Sequence, residues 1–152
     1  GALHGGVMSP PTNMIAIRAG YKELAYLPQI GVAFQHTSLA TSRKYLERNR
    51  PTALNFIRGE IEGIHAIRTQ KNLAINVLRK YMRISDSDVL EDGYRYALKF
   101  FQPRPYPTLE EVRAVLDEYK SMPQTANAKP EQFIDLTLLQ ELEREKFFEK
   151  FK

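Results

Sequence analysis

Apolar positions recur at steps of three and four residues over most of the chain after residue 41, which predicts a series of helices. The clearest of these helices begins at Pro51, because proline is favoured in the first turn of a helix. Its apolar stripe comprises Leu54, Ile57, Ile61, Ile64 and Ile67. A stripe of this kind is typical of a helix that packs one face against a core.

Capping and breaking residues delimit the other predicted helices. We predict helices at 12–19, 42–48 and 71–82. A further helix should start at the caps Ser85 and Asp86 and run to Phe101. Two more should begin at the capping box of Thr108 with Glu111 and at the cap Asp135. The proline-rich stretch 103–107 predicts an extended connection, and 121–130 predicts a polar loop. The aromatic residues near the C-terminus, Phe147, Phe148 and Phe151, need other apolar groups to cover them.

Two segments predict strands. Residues 3–8 contain the apolar pair Val7 and Met8 and stop at two prolines, which cannot continue a ladder. Residues 32–39 are rich in β-branched and aromatic side chains and lead to Thr41, a predicted helix N-cap. Two strands do not form a stable sheet by themselves. Either another chain supplies further strands, the segments pair in another way, or the chain is mostly helical in isolation.

Composition narrows the classes of protein that fit. The length of 152 residues is that of a typical single domain. No apolar run is long enough to cross a membrane as a helix. The absence of cysteine excludes disulfides, thiolate metal sites and cysteine nucleophiles. Residues 1–83 hold 12 Lys and Arg against 4 Asp and Glu, whereas residues 84–152 hold 10 against 14. The basic half suggests either an anionic partner or simply solvated helix faces, and we favour the second interpretation.

An ordered series of short motifs resembles a known family. The series is Ser9-Pro10-Pro11, Gly20-Tyr21-Lys22-Glu23-Leu24-Ala25, Gln35-His36-Thr37 and Arg43-Lys44-Tyr45-Leu46-Glu47-Arg48-Asn49. In this order the motifs resemble type II periplasmic solute-binding proteins of ABC importers. The resemblance is to the branch that serves nitrate, sulfonate and taurine and that includes the thiamine-precursor-binding relatives. It covers nearly the whole chain, although His4 stands where the family often carries an acid.

The resemblance implies the C-terminal part of an α/β type II periplasmic-binding-protein fold, predominantly helical with few short strands. Residues 1–30 would end the second lobe as strand, turn and helix. Residues 31–40 would be the hinge strand that crosses between the lobes, and residues 41–152 the helical C-terminal part of the first lobe. Because the family's chain is about twice this length, the resemblance further implies a fragment.

Ligand-binding residues follow from the same resemblance, since family members hold their solute between the two lobes. One wall would comprise Ser9, Pro10, Thr12 and Asn13, and the hinge would contribute Gln35, His36 and Thr37. Groups at the start of helix 12–19 could receive an anion. Ser9 and Thr12 could equally cap that helix, and His36 could be a hydrogen-bonded strand residue.

The resemblance thus implies a binding module and not an enzyme. It would be the substrate-binding component of an ABC importer, periplasmic or anchored at the cell surface as a lipoprotein. Its expected partners are a small polar or anionic solute, the ABC permease through the full-length protein, and further copies of itself through open strand edges. We expect no cofactor, metal, catalytic residue, nucleic acid or membrane insertion, and weak or no solute binding by this chain alone.

Two alternatives stay open from the sequence. The first is a helical module that binds protein or nucleic acid through the basic N-terminal half. The second is an enzyme similar to the thiamine-pyrimidine synthases, which is disfavoured because those relatives carry a cysteine-rich motif and this chain has no cysteine.

Overall fold

The structure, a computed structural model, describes residues 4–31 and 37–151, and side chains throughout these ranges except at positions 27 and 28. Within these ranges the chain is helical or irregular and contains no strand. The α-helices are α1 (Thr12–Arg18), α2 (Leu27–Ile30), α3 (Arg43–Arg48), α4 (Arg50–Thr69), α5 (Lys71–Met82), α6 (Ser87–Phe100), α7 (Leu109–Glu118) and α8 (Thr137–Arg144). Two 3₁₀ turns, Pro130–Gln132 and Phe147–Phe151, flank α8.

The α/β expectation is therefore wrong for the described residues. Val7 and Met8 lie in an irregular segment instead of a buried strand, and the Val7 side chain is 90% exposed. A strand needs a neighbouring strand to pair its backbone N–H and C=O groups, and no described segment provides one. The predicted hinge strand at 32–39 lies mostly outside the described residues, and its last three residues form no strand.

Helix ends follow the capping residues in the sequence. Asp86 is the N-cap of α6, and its Oδ1 accepts hydrogen bonds from the backbone N–H groups of Asp88 (2.9 Å) and Val89 (3.0 Å). The predicted capping box of Thr108 and Glu111 opens α7. The cap of α3 is one residue later than predicted, because Ser42 and not Thr41 accepts the N–H of Tyr45.

The chain divides into two compact units. The first comprises Gly1–Tyr26 and Glu62–Pro103, and therefore contains α1, α5, α6 and the end of α4. Its buried apolar side chains are Ile64, Ala74, Val89, Leu90, Tyr94 and Ala97. Three of them, Leu90, Tyr94 and Ala97, follow one another at four- and three-residue steps and form one buried face of α6.

The second unit comprises Leu27–Ile61 and Arg104–Lys152. Its core contains Leu54, Ile61, Leu138, Leu139, Leu142, Phe147 and Phe148. The first turns of α4 and the face of α8 thus cover the C-terminal aromatic residues. The rings of Phe147 and Phe148 meet edge to face, with centroids 6.4 Å apart.

The longest helix, α4, has 20 residues, and charged side chains such as Arg58, Glu60 and Glu62 occur along its length. Among the described residues, no helix combines the length and the apolar character needed to cross a membrane.

Candidate functional site

The predicted wall residues surround the start of α1. The Thr12 hydroxyl donates a hydrogen bond to the carbonyl oxygen of Ser9 (2.6 Å), and the backbone N–H groups of Thr12 and Asn13 donate to the same oxygen (3.0 and 3.3 Å). These donors are therefore engaged in a local turn. Ser9 and Thr12 are exposed, whereas Pro10 and Asn13 are half-buried and face a pocket.

This pocket, which we call the α1–α6 pocket, is an open cavity of about 360 Å³ inside the first compact unit. Pro10, Asn13, Met14 and Ile17 contribute from α1 and the turn before it, and Glu23 and Tyr26 contribute from the segment after it. Asp92, Arg95, Tyr96, Lys99 and Phe100 contribute from α6. The pocket therefore joins two of the predicted residues to a face of α6 that the sequence did not single out.

An ion pair holds α1 against the start of α6. An Arg18 guanidinium nitrogen lies 2.7 Å from Asp86 Oδ1, which is the capping atom of α6. A second nitrogen of Arg18 lies 3.5 Å from Asp88 and 4.0 Å from Asp92. The contact therefore joins the two helices that line the pocket.

Aromatic rings form the apolar part of the pocket. The rings of Tyr96 and Phe100, one helical turn apart on α6, lie with centroids 4.4 Å apart and planes inclined by 35°. Lys99 Nζ lies 5.2 Å from the centroid of Phe100 and 5.8 Å from that of Tyr26. Burial, and secondarily the neighbouring Tyr26, raises the pKa of the Tyr96 hydroxyl. In its neutral form this hydroxyl can donate a hydrogen bond.

The charged groups of the pocket differ in their pairing. Arg95 lies 2.8 Å from Asp92 and is thereby partly neutralised. Lys99 and Glu23 make no ion pair within the described ranges. Among the described residues, the pocket therefore holds an unpaired ammonium group on Lys99, which could attract an anionic ligand, and an unpaired carboxylate on Glu23, which would repel one.

Asn13 adds an unusual polar atom. Its Oδ1 is shielded from solvent and accepts no hydrogen bond from any described group. A buried acceptor without a donor costs about 1–3 kcal/mol, which a donor brought to it would offset.

The remaining predicted residues lie apart from this pocket. Gln35 and His36 fall outside the described residues, and Thr37 lies in an exposed bend and does not line the pocket. Within the ranges that the structure describes, no three His, Asp or Glu side chains are grouped so that they could hold a metal ion.

Sequence reasoning missed the α6 wall, although the pattern carries a signal for it. Asp92, Tyr96 and Lys99 recur at steps of four and three residues on α6, and Phe100 follows Tyr96 by four. The periodicity did not single out this face, because the buried face of α6, which includes Leu90, is sufficient to predict the helix.

No protein-family model matches the chain, and comparison with curated proteins and with solved structures also finds no match.

Proposed function

We propose that this chain binds a small polar or anionic solute in the α1–α6 pocket, as the substrate-binding component of an ABC importer would. The observation that supports the proposal is the position of Pro10 and Asn13. The resemblance names both as ligand contacts, and both line a pocket that also holds Lys99 and Arg95.

The pocket suits a ligand with an anionic group and a small apolar body. Lys99 supplies an ammonium group without a carboxylate partner among the described residues, and a charge-assisted hydrogen bond to it is stronger than a neutral one. The rings of Tyr96 and Phe100 offer apolar contact beside it. Asn13 and the Tyr96 hydroxyl provide polar groups that fix the orientation of the ligand.

We expect the affinity of the chain by itself to be low, with a Kd on the order of 1 mM. The pocket is open, and the side chains of Arg95 and Lys99 are exposed to solvent, which screens their attraction for an anion.

The test is a titration of the ¹⁵N-labelled chain with nitrate, ethanesulfonate and taurine, followed by amide chemical shifts. We expect saturable shifts at Asn13 and at residues 95–100. Lys99→Gln removes the ammonium group and should weaken binding several-fold. The matched control Lys120→Gln changes an exposed lysine outside the pocket and should bind as the unmodified chain does.

Shifts confined to other parts of the chain, or equal titrations for Lys99→Gln and the unmodified chain, would contradict binding in this pocket. Delivery of the solute to a permease, and location in the periplasm or at the cell surface, rest on the resemblance and stay predictions. The proposal does not include closure of two α/β lobes, because the described residues contain no strand.

A further inference from the structure

We propose that an exposed ridge on α5 docks an acidic amphipathic helix of a partner protein. The α5 ridge consists of Leu73, Val77 and Tyr81, which follow one another at four-residue steps, and its basic flank consists of Lys80 and Arg83. This surface is separate from the α1–α6 pocket and shares no residue with it.

The apolar side chains of the ridge are largely open to solvent. Leu73 is 49% exposed, Val77 45% and Tyr81 72%. The adjoining face of α5 is already used in packing, since Ala74 is buried and Leu78 lies against α6 near Gly93. The ridge therefore contributes little to the core of the unit and remains available to a partner.

The spacing of the ridge fits a helix as partner. Side chains at i, i+4 and i+8 form the kind of row that packs into the groove of another helix. The row extends over about 12 Å, which corresponds to two turns. A bilayer surface requires a broader apolar arc along a longer helix, and a nucleic-acid backbone offers no apolar groove for Leu73 and Val77.

The charge of α5 fits an acidic partner. No Asp or Glu occurs between Lys71 and Arg83. Lys71 is paired with Glu91 (2.8 Å), but Lys80 lies over the Tyr81 ring (5.2 Å) and Arg83 makes no ion pair among the described residues. A partner helix with Glu or Asp beside its apolar groove would complement this flank. The opposite charges would raise the association rate constant and the specificity of the interaction.

The test uses the full chain and two fluorescein-labelled synthetic helices with the same Leu and Ala positions. One helix carries Glu at every polar position, and the other carries Lys. We expect fluorescence anisotropy to show binding of the Glu helix alone, weakening as salt is added. Lys80→Glu with Arg83→Glu should weaken it by about tenfold or more, because two attractions become repulsions.

A second variant, Val77→Asp, tests the apolar part of the ridge and should also weaken binding. The control, Arg113→Glu with Lys120→Glu, makes the same change of charge at exposed positions in and beside α7 and should leave binding unchanged. Far-UV circular dichroism checks that each variant keeps its helices.

Three results would overturn the proposal. The first is no binding of the Glu helix, and the second is an equal loss in the control variant. The third is a preference of the chain for anionic lipid vesicles or for random-sequence DNA over the Glu helix, with the same dependence on Lys80 and Arg83.

Discussion

Asp86 connects two helices through one carboxylate. Oδ1 accepts the backbone N–H groups at the start of α6 and also meets Arg18 of α1 at 2.7 Å. The hydrogen bond from the N–H of Val89, and next the one from Arg18, hold the pKa of this carboxyl below its ordinary value. The folded chain therefore binds a proton at this carboxyl more weakly than the unfolded chain does. As a result, the stability of the fold depends on pH through Asp86.

From this shift we predict a pH dependence of stability. A lowered pKa means that Asp86 stabilises the fold above the pKa of the unfolded chain and loses this effect as pH falls through the folded pKa. Below about pH 4, the thermal midpoint should fall more steeply for the unmodified chain than for Asp86→Asn. Asparagine still caps the helix but has no carboxyl to titrate.

Thermal unfolding followed by circular dichroism between neutral and acidic pH checks this expectation. Asp117→Asn, at an exposed position of α7 with no capping role, is the control and should keep the slope of the unmodified chain. Parallel slopes for the unmodified chain and Asp86→Asn would show that Asp86 contributes nothing to the acid sensitivity.

At the scale of the element, α8 has the clearest division between an apolar and a polar face. Its residues Leu138, Leu139 and Leu142 are buried, and Arg50 of α4 reaches its polar side, 2.7 Å from Glu141. Asp135 was predicted as the N-cap, which would place the first helical residue at position 136. The helix instead starts at Thr137, although the Asp135 side chain still accepts the backbone N–H of Thr137 at 2.9 Å. Packing of the leucine face is therefore the main support of this short helix.

We predict that Leu142→Ala lowers the free energy of unfolding by about 2–5 kcal/mol, because this side chain is 0% exposed and its removal leaves a cavity in the core. Leu24→Ala makes the same chemical change at a side chain that is 91% exposed and should alter the free energy by less than about 0.5 kcal/mol. Urea unfolding measures both. Similar costs for the two variants would contradict the assignment of Leu142 to the core.

At the scale of the whole molecule, the described residues are organised as helices in two compact units. Self-association, expected from open strand edges, stays a prediction, but no described segment offers such an edge. Exposed apolar side chains of the described residues, such as Val7, Leu24 and Phe56, offer surface through which copies could associate.

We predict that the secondary structure of the chain in solution is dominated by helix. Far-UV circular dichroism should show the double minimum of α-helix, and infrared spectra should show no prominent strand band. The physical reason is that nearly all described hydrogen-bonded structure is local along the chain. A strong strand band would instead support the α/β interpretation that the described residues contradict.

Local signals in the sequence were sufficient for the longer helices, although they did not predict the short helix α2. The stripe from Leu54 to Ile67 predicted α4, and the caps at Asp86 and Thr108 predicted the starts of α6 and α7. These predictions are confirmed because a helix closes its hydrogen bonds within a few residues of sequence, so that periodicity and caps describe most of what it needs.

Tertiary structure decided the rest. A strand depends on a partner that its own sequence does not contain, which is why the pattern around Val7 predicted a strand that is not found. The α1–α6 pocket joins Asn13 to Lys99, and no periodicity relates residues so distant in sequence. Likewise, only packing shows that Ala74 faces the core while Val77 faces solvent, since the sequence of α5 offers apolar residues on both sides.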